Sequence, residues 1–124
     1  MLSGKAKGDF FLFLDADVRI DGTIISDTVG MSSHYGLGLL SIFPRQVMLT
    51  AGEWMTVPNM NFILLSLLPL ISVRTSRFPS VAAANGQFML FGASAYKKTL
   101  PHEKMKANKV EDIEIARYYK KEKI

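Results

Sequence analysis

The run Phe10-Phe11-Leu12-Phe13-Leu14 closes on Asp15-Ala16-Asp17, and no other stretch constrains the fold as much. A short apolar run opened by Gly8-Asp9 predicts a strand buried on both faces. Carboxylates do not stay in such a core. Asp15 and Asp17 therefore mark the strand's C-terminal end, where open α/β sheets bind ligands. With one small residue between them, both carboxylates can approach a single hard cation, and an oxygen donor set suits Mg²⁺ or Mn²⁺. Such a cation commonly shares its shell with a substrate phosphate. The alternative is a pair of solvated aspartates opening a turn, helped by Asp21-Gly22 downstream.

A chain of 124 residues makes at most one domain, and 48% hydrophobic with 21% charged residues is globular rather than disordered composition. Cysteine is absent, which excludes disulfides, zinc–thiolate centres and thiol nucleophiles and fits a reducing, cytoplasmic setting. The formal charge is +4, with positives gathered late: Lys97, Lys98, Lys104, Lys106, Lys109, Arg117, Lys120, Lys121 and Lys123. Such a surface attracts phosphorylated ligands or anionic lipid, although most of these lysines read as a solvated face. No arginine-rich run or aromatic stacking pattern is present, so nucleic acid is not an expected partner. Met1 to Gly8 is short and polar and does not read as a signal peptide.

Further along, residues 22–30 predict a short helix or an irregular connection, because Thr23, Ile24, Ile25, Thr28 and Val29 are β-branched. A second strand is expected within 38–43, ended by Pro44. Gly36 and Gly38 make no phosphate loop, since no Gly-Lys-Ser follows. Residues 46–56 are of mixed character and are expected to be helical. Residues 59–73 are almost wholly apolar, interrupted by Pro69, and too short to span a bilayer, which takes roughly 20 such residues. This run is either a buried core helix or a segment at a membrane surface; Trp54, Arg74 and Arg77 beside it suit the second. Asn85-Gly86 signals a tight turn before a third strand at 87–91. Residues 93–98 start a helix that Pro101 cannot continue, and Pro101-His102-Glu103 reads as a polar loop. Residues 110–121 form a last helix, with Glu111, Asp112 and Glu114 first and Arg117, Lys120 and Lys121 last, which complements the helix dipole. Acids at a helix start need no catalytic explanation.

Taken in order, these pieces resemble a family 2 glycosyltransferase of the GT-A fold, from about Ala6 to Lys121. Ala6-Lys7-Gly8-Asp9 with the strand into Asp15-Ala16-Asp17 is similar to the family's D-x-D strand. Ser41-Ile42-Phe43-Pro44-Arg45-Gln46 resembles the next core strand in lipid-modifying members. Asn85-Gly86-Gln87-Phe88-Met89-Leu90-Phe91, then Ala95-Tyr96, resembles the acceptor-side segment, and Val110-Glu111-Asp112-Ile113-Glu114 resembles the Glu-Asp motif.

The resemblance implies an α/β fold with a Rossmann-like, GT-A type mixed sheet, incomplete, over residues 1–124. It implies inverting transfer of a sugar from a nucleotide-diphosphate sugar to an acceptor hydroxyl, of a lipid or isoprenoid among other acceptors. Asp15 and Asp17 would hold the divalent metal and through it the donor diphosphate, and Asp112 would be the general base. Gln87, His102 and Glu111 would lie on the acceptor side, Glu111 supporting Asp112 and His102 being a further candidate for the ion.

Three departures follow. The family's nucleotide-binding half, which precedes the D-x-D strand, is missing. Leu100-Pro101-His102-Glu103 stands where relatives often carry Gly-Gly-His-Glu, and glycine is expected to reach backbone conformations that Leu and Pro cannot. The chain stops at the Glu-Asp helix, without the Gln-x-x-Arg-Trp motif of processive members. A partial domain of this kind is expected to be inactive alone.

Two rivals stand beside this reading. A haloacid-dehalogenase-like phosphatase also has an apolar strand ending Asp-x-Asp, with Asp15 as nucleophile and Asp17 as acid and base. That motif wants Thr or Val where Arg19 stands, and a late acidic pair where Ala116 follows Asp112. The non-enzyme rival is a membrane- or partner-binding fragment that uses 59–73 as its adhesive face.

Overall fold

The central strand of the sheet is the last in sequence. In a computed structural model describing residues 5–67, 70–76, 78–105 and 110–124, β1 (Phe10–Leu14), β2 (Leu39–Ser41) and β3 (Phe88–Gly92) lie in the order β1-β3-β2. Side chains at 60, 61, 64, 65, 70 and 74 are also outside the description, as are Lys106, Lys109, Pro69 and Arg77 among the residues named above. Both strand pairs are antiparallel, with Phe11 opposite Phe91 and Leu40 opposite Leu90.

The fold is mixed α/β, and its described sheet is a small antiparallel one of three strands, where a Rossmann-like mixed sheet was expected. β1 and β2 run in the same direction, joined by α1 (Ile24–Tyr35), but they do not pair. β3 enters between them in the opposite sense, so every described ladder is antiparallel. β3 has strands on both edges and helices on both faces, so Phe88 to Phe91 are all buried, whereas β1 leaves Leu14 at its open end.

The alternation of side chains along β3 makes two cores. Met89 and Phe91 face Phe11, α4 (Ala93–Thr99) and α6 (Glu111–Glu122). Phe88 and Leu90 face Leu40 and, from α1, Ile24 and Val29. Phe91 is fully buried and meets Phe13, Tyr96 and Tyr119 edge-on at 5.5, 5.2 and 5.6 Å between ring centres. That geometry suits aromatic quadrupoles and fixes α4 and α6 on one face.

Local chemistry explains where the helices differ from expectation. α1 is a full helix to Tyr35 despite its β-branched residues. Thr28 satisfies its hydroxyl on the Ile24 carbonyl at 2.8 Å, and Gly36 closes the helix at φ +61°, a conformation glycine adopts at no steric cost. Pro101 starts a one-turn helix, α5 (Pro101–Lys104), where a loop was expected. Leu100, between α4 and α5, sits at φ +44° and ψ +57°. Leucine thus takes the left-handed conformation that the sequence comparison reserved for glycine.

The described side chains of the apolar run do not enter either core. α2 (Ala51–Leu67) opens on a capping box: Glu53 accepts from the Thr50 N–H at 3.0 Å, and Thr50 Oγ1 accepts from the Glu53 N–H at 3.3 Å. α3 (Leu70–Thr75) follows. No described residue from 43 to 81 belongs to either core cluster. Leu67 is 74% exposed and Ile71 79%, so the buried-helix reading of 59–73 does not hold for them. No helix among the described residues is long and apolar enough to cross a membrane. Lys120 fastens the far end of this arm to α6, donating to the carbonyls of Val73 at 2.8 Å and Val81 at 3.4 Å.

Candidate functional site

The turn Asn85-Gly86-Gln87 is a hub on which three elements converge. Asn85 holds its own shape: its side-chain oxygen accepts from the Gln87 N–H at 2.9 Å, and its amide donates to Gln87 Oε1 at 3.1 Å. Such Asx geometry is why Asn-Gly marks turns. From β1, the Asp15 N–H donates to the Gln87 carbonyl at 3.2 Å. From β2, Ser41 Oγ donates to the Asn85 carbonyl at 3.0 Å and accepts from the Asn85 N–H at 2.7 Å. From α6, Asp112 Oδ2 accepts from the Gly86 N–H at 3.1 Å, and its other oxygen accepts from the Ile113 N–H at 2.9 Å. The ends of β1 and β2, the start of β3 and the start of α6 therefore meet at one end of the sheet.

Beside the hub lies a cleft of about 690 Å³. The loop after β1 forms one wall with Asp17, Arg19 and Asp21; the segment after β2 forms the other with Phe43 and Arg45; Gln87 and Phe88 close the back. Asp17 and Gln87 line this cleft, while Asp112 and Glu111 do not; Asp112 reaches it only through the Gly86-Gln87 backbone.

Asp15 and Asp17 are exposed just beyond the end of β1, and of the two only Asp17 lines the cleft. No group of three metal-ligating side chains occurs among the described residues, so these aspartates do not form a closed protein cage. Two carboxylates with open coordination left for water and phosphate are the donor set that Mg²⁺ commonly uses, and the residues fit that kind of ion.

His102 is not the exposed loop histidine that the sequence suggests. It is half-buried on α5, stacks against Phe13 at 4.6 Å, and its Nδ1 shares a hydrogen bond of 3.0 Å with the Tyr96 hydroxyl. Burial pushes its pKa below the ordinary value, and the Glu111 carboxylate opposes that shift. Its described contacts are those of a core-facing residue behind β1, and it does not line the cleft.

Sequence reasoning missed Ser41 and Arg45. Ser41 was read only as part of a strand, and its pair of hydrogen bonds with Asn85 spans 44 positions, which no local pattern reveals. Arg45, next to Pro44, is where the chain must leave β2, and a charged residue there lines a cleft only if the opposite loop turns toward it. Compared with protein-family models, with curated proteins and with solved structures, the chain finds no match.

Proposed function

We propose that this chain carries the catalytic end of a GT-A type glycosyltransferase, which transfers a sugar with inversion from a nucleotide-diphosphate donor to an acceptor hydroxyl. One observation carries the reading: the hub joins Asp15, at the end of the D-x-D strand, to Asp112, at the start of the Glu-Asp helix, through the two residues Gly86 and Gln87. Residues nearly a hundred positions apart, which resemble two motifs of one family, thus frame a single turn beside a cleft.

In this reading, Asp15 and Asp17 hold a Mg²⁺ or Mn²⁺ ion. When bound, the ion neutralises charge on the leaving diphosphate as a Lewis acid. The Gly86 and Ile113 N–H groups orient Asp112, whose carboxylate takes the proton of the acceptor hydroxyl. Gln87 borders the acceptor, with its amide oriented by Asn85. Glu111 supports the helix start, and His102 acts on the site through packing behind β1.

Exposed apolar side chains on the arm favour a lipid or isoprenoid acceptor presented at a membrane surface. The arm leaves the cleft wall directly, through Val47 and Leu49, both exposed. The same observation favours the second reading, an adhesive fragment without transfer activity.

Calorimetric titration with nucleotide-diphosphate sugars, with and without Mn²⁺, separates the two. The transferase reading expects Mn²⁺-dependent binding that Asp15→Asn and Asp17→Asn each abolish. Binding that ignores both the ion and these substitutions would overturn it.

A further inference from the structure

The cleft beside the hub is lined by charges of both signs that do not pair with one another. Asp17 and Asp21 supply two carboxylates, Arg19 and Arg45 two guanidiniums, so the four formal charges sum to zero. The only ion pair among the described residues is Arg117–Glu114, on α6. Arg19 bends back over its own loop, donating through Nη1 to the carbonyls of Ala16 at 3.3 Å and Val18 at 3.4 Å. Asp21 accepts from the Gly22 N–H at 2.7 Å. Arg45, on the opposite wall, makes no hydrogen bond or ion pair among the described residues.

Opposite charges that face one cleft without meeting suit a ligand that carries both signs. A cation complexed by a phosphate-type oxyanion has this pattern: its positive side answers the carboxylates and its oxygens answer the guanidiniums. The planar guanidinium fork matches phosphoryl oxygens two at a time, which an ammonium cannot do. An all-acidic cleft would repel the oxyanion before its cation bound; this one does not.

We propose that Arg45, assisted by Arg19 across the cleft, is the oxyanion clamp of this site, and that it grips the phosphoryl oxygens of a cation-bound phosphate or diphosphate. The identity of the cation-binding carboxylates rests on the function proposed above; the clamp itself rests on the cleft. The oxyanion belongs either to a nucleoside diphosphate or to the phosphate headgroup of a lipid.

Binding experiments distinguish these sources. Pyrophosphate and uridine diphosphate are titrated with and without Mn²⁺, and vesicles of phosphatidylcholine with and without phosphatidic acid are tested by flotation. Mn²⁺ binding alone is read by electron paramagnetic resonance. Arg45→Gln is expected to weaken pyrophosphate binding in Mn²⁺ by about tenfold or more, the scale of a lost hydrogen bond between charged groups. Mn²⁺ affinity and melting temperature should stay unchanged, and Arg45→Lys should restore only part of the loss.

Wild-type pyrophosphate affinity in Arg45→Gln, or no binding of any of the three phosphate probes, overturns the clamp. Mn²⁺-dependent binding of a nucleotide sugar that Arg45→Gln leaves untouched would remove the clamp and keep the transferase reading. Arg45-dependent binding of phosphatidic acid, without binding of pyrophosphate or uridine diphosphate, would keep the clamp and remove the nucleotide donor.

Discussion

Gly86 donates its backbone N–H to Oδ2 of Asp112 at 3.1 Å, tying the turn before β3 to a helix start 26 positions later. An acid at that place on a helix is worth typically about 0.3–1 kcal/mol through the dipole. The bond to Gly86 adds a contact between elements, with a charged acceptor and a half-buried donor. Asp112→Ala strands that N–H, so the expected loss of stability is about 1–3 kcal/mol, more than the dipole supplies. Urea midpoints of Asp112→Ala and Glu111→Ala test this, since no described side-chain hydrogen bond depends on Glu111. Equal midpoints would reduce Asp112 to a dipole residue.

Asp112→Asn separates structure from chemistry. The amide keeps size and one acceptor, so it holds either the Gly86 or the Ile113 N–H but not both. In a transfer-competent preparation, turnover should fall by roughly 10²-fold or more while donor affinity is retained, the usual scale for losing a positioned base. Turnover near the wild-type rate would leave Asp112 with only its structural bonds.

Much of the fold is legible because it is local. Gly8-Asp9 before the apolar run, Asn85-Gly86 before 87–91, and acids first in 111–122 each place an element to within a residue or two. Strand direction is not local. The order β1-β3-β2 depends on which strand the chain inserts last, and an apolar run reads the same in a parallel or an antiparallel ladder. The site divides in the same way. Asp15, Asp17, Gln87 and Asp112 stand out as residue types in motifs, but their meeting through backbone hydrogen bonds is a tertiary fact. The surroundings of His102 were illegible because the rings of Phe13, Phe91 and Tyr96 come from three separate elements.

Leu100 holds φ +44° between α4 and α5, a conformation that costs a non-glycine residue roughly 1–2 kcal/mol. Its side chain is more than a third exposed and lies outside both core clusters. Leu100→Gly should therefore be neutral or stabilising by up to about 1 kcal/mol, since relief of strain offsets the lost burial. Leu100→Ile, β-branched at the same φ, should destabilise. Thermal melts of the pair test this; a large loss from Leu100→Gly would mean that packing, not conformation, governs the position.

The half-buried imidazole of His102 gives the fold a pH dependence of definite sign. Burial lowers its folded pKa below the ordinary 6.5, so the unfolded chain takes up the proton first as pH falls. Stability from this group is then full above about pH 6.5 and declines as pH drops below it. The decline levels off once pH passes the lowered folded value. The negative charge of Glu111 favours the protonated ring, which softens the effect without reversing it. His102→Gln can still accept from the Tyr96 hydroxyl, and its stability should change less between pH 7.5 and pH 5, in about that window. Identical pH profiles for the two proteins would show that the imidazole takes up its proton at the same pH in the folded and unfolded chains, and so that burial does not shift it.

The arm makes a prediction about solvent. A helix apolar on one stripe lies on a core, whereas one apolar around most of its circumference is ordinarily enclosed by protein or lipid. Trp54, Met55, Phe62, Ile63 and Leu67 spread around more than half of α2 at about 3.6 residues per turn, and all are exposed. Ile71 and Phe78 extend the surface beyond it. A helix of 17 residues is about 25 Å long, short of a hydrocarbon core of about 30 Å, so partial immersion suits it better than crossing. Trp54 is the single tryptophan, 63% exposed, and its fluorescence reports the arm alone. Vesicles should shift its emission to the blue, in neutral as well as anionic lipid, because the arm's described surface is apolar rather than charged. Phe62→Ser and Ile71→Ser should each weaken partitioning by about tenfold, on the scale of burying one large apolar side chain. An unshifted spectrum in every vesicle, with dimers growing in as concentration rises in sedimentation, would assign this surface to a second copy of the chain and remove the membrane from the proposed function.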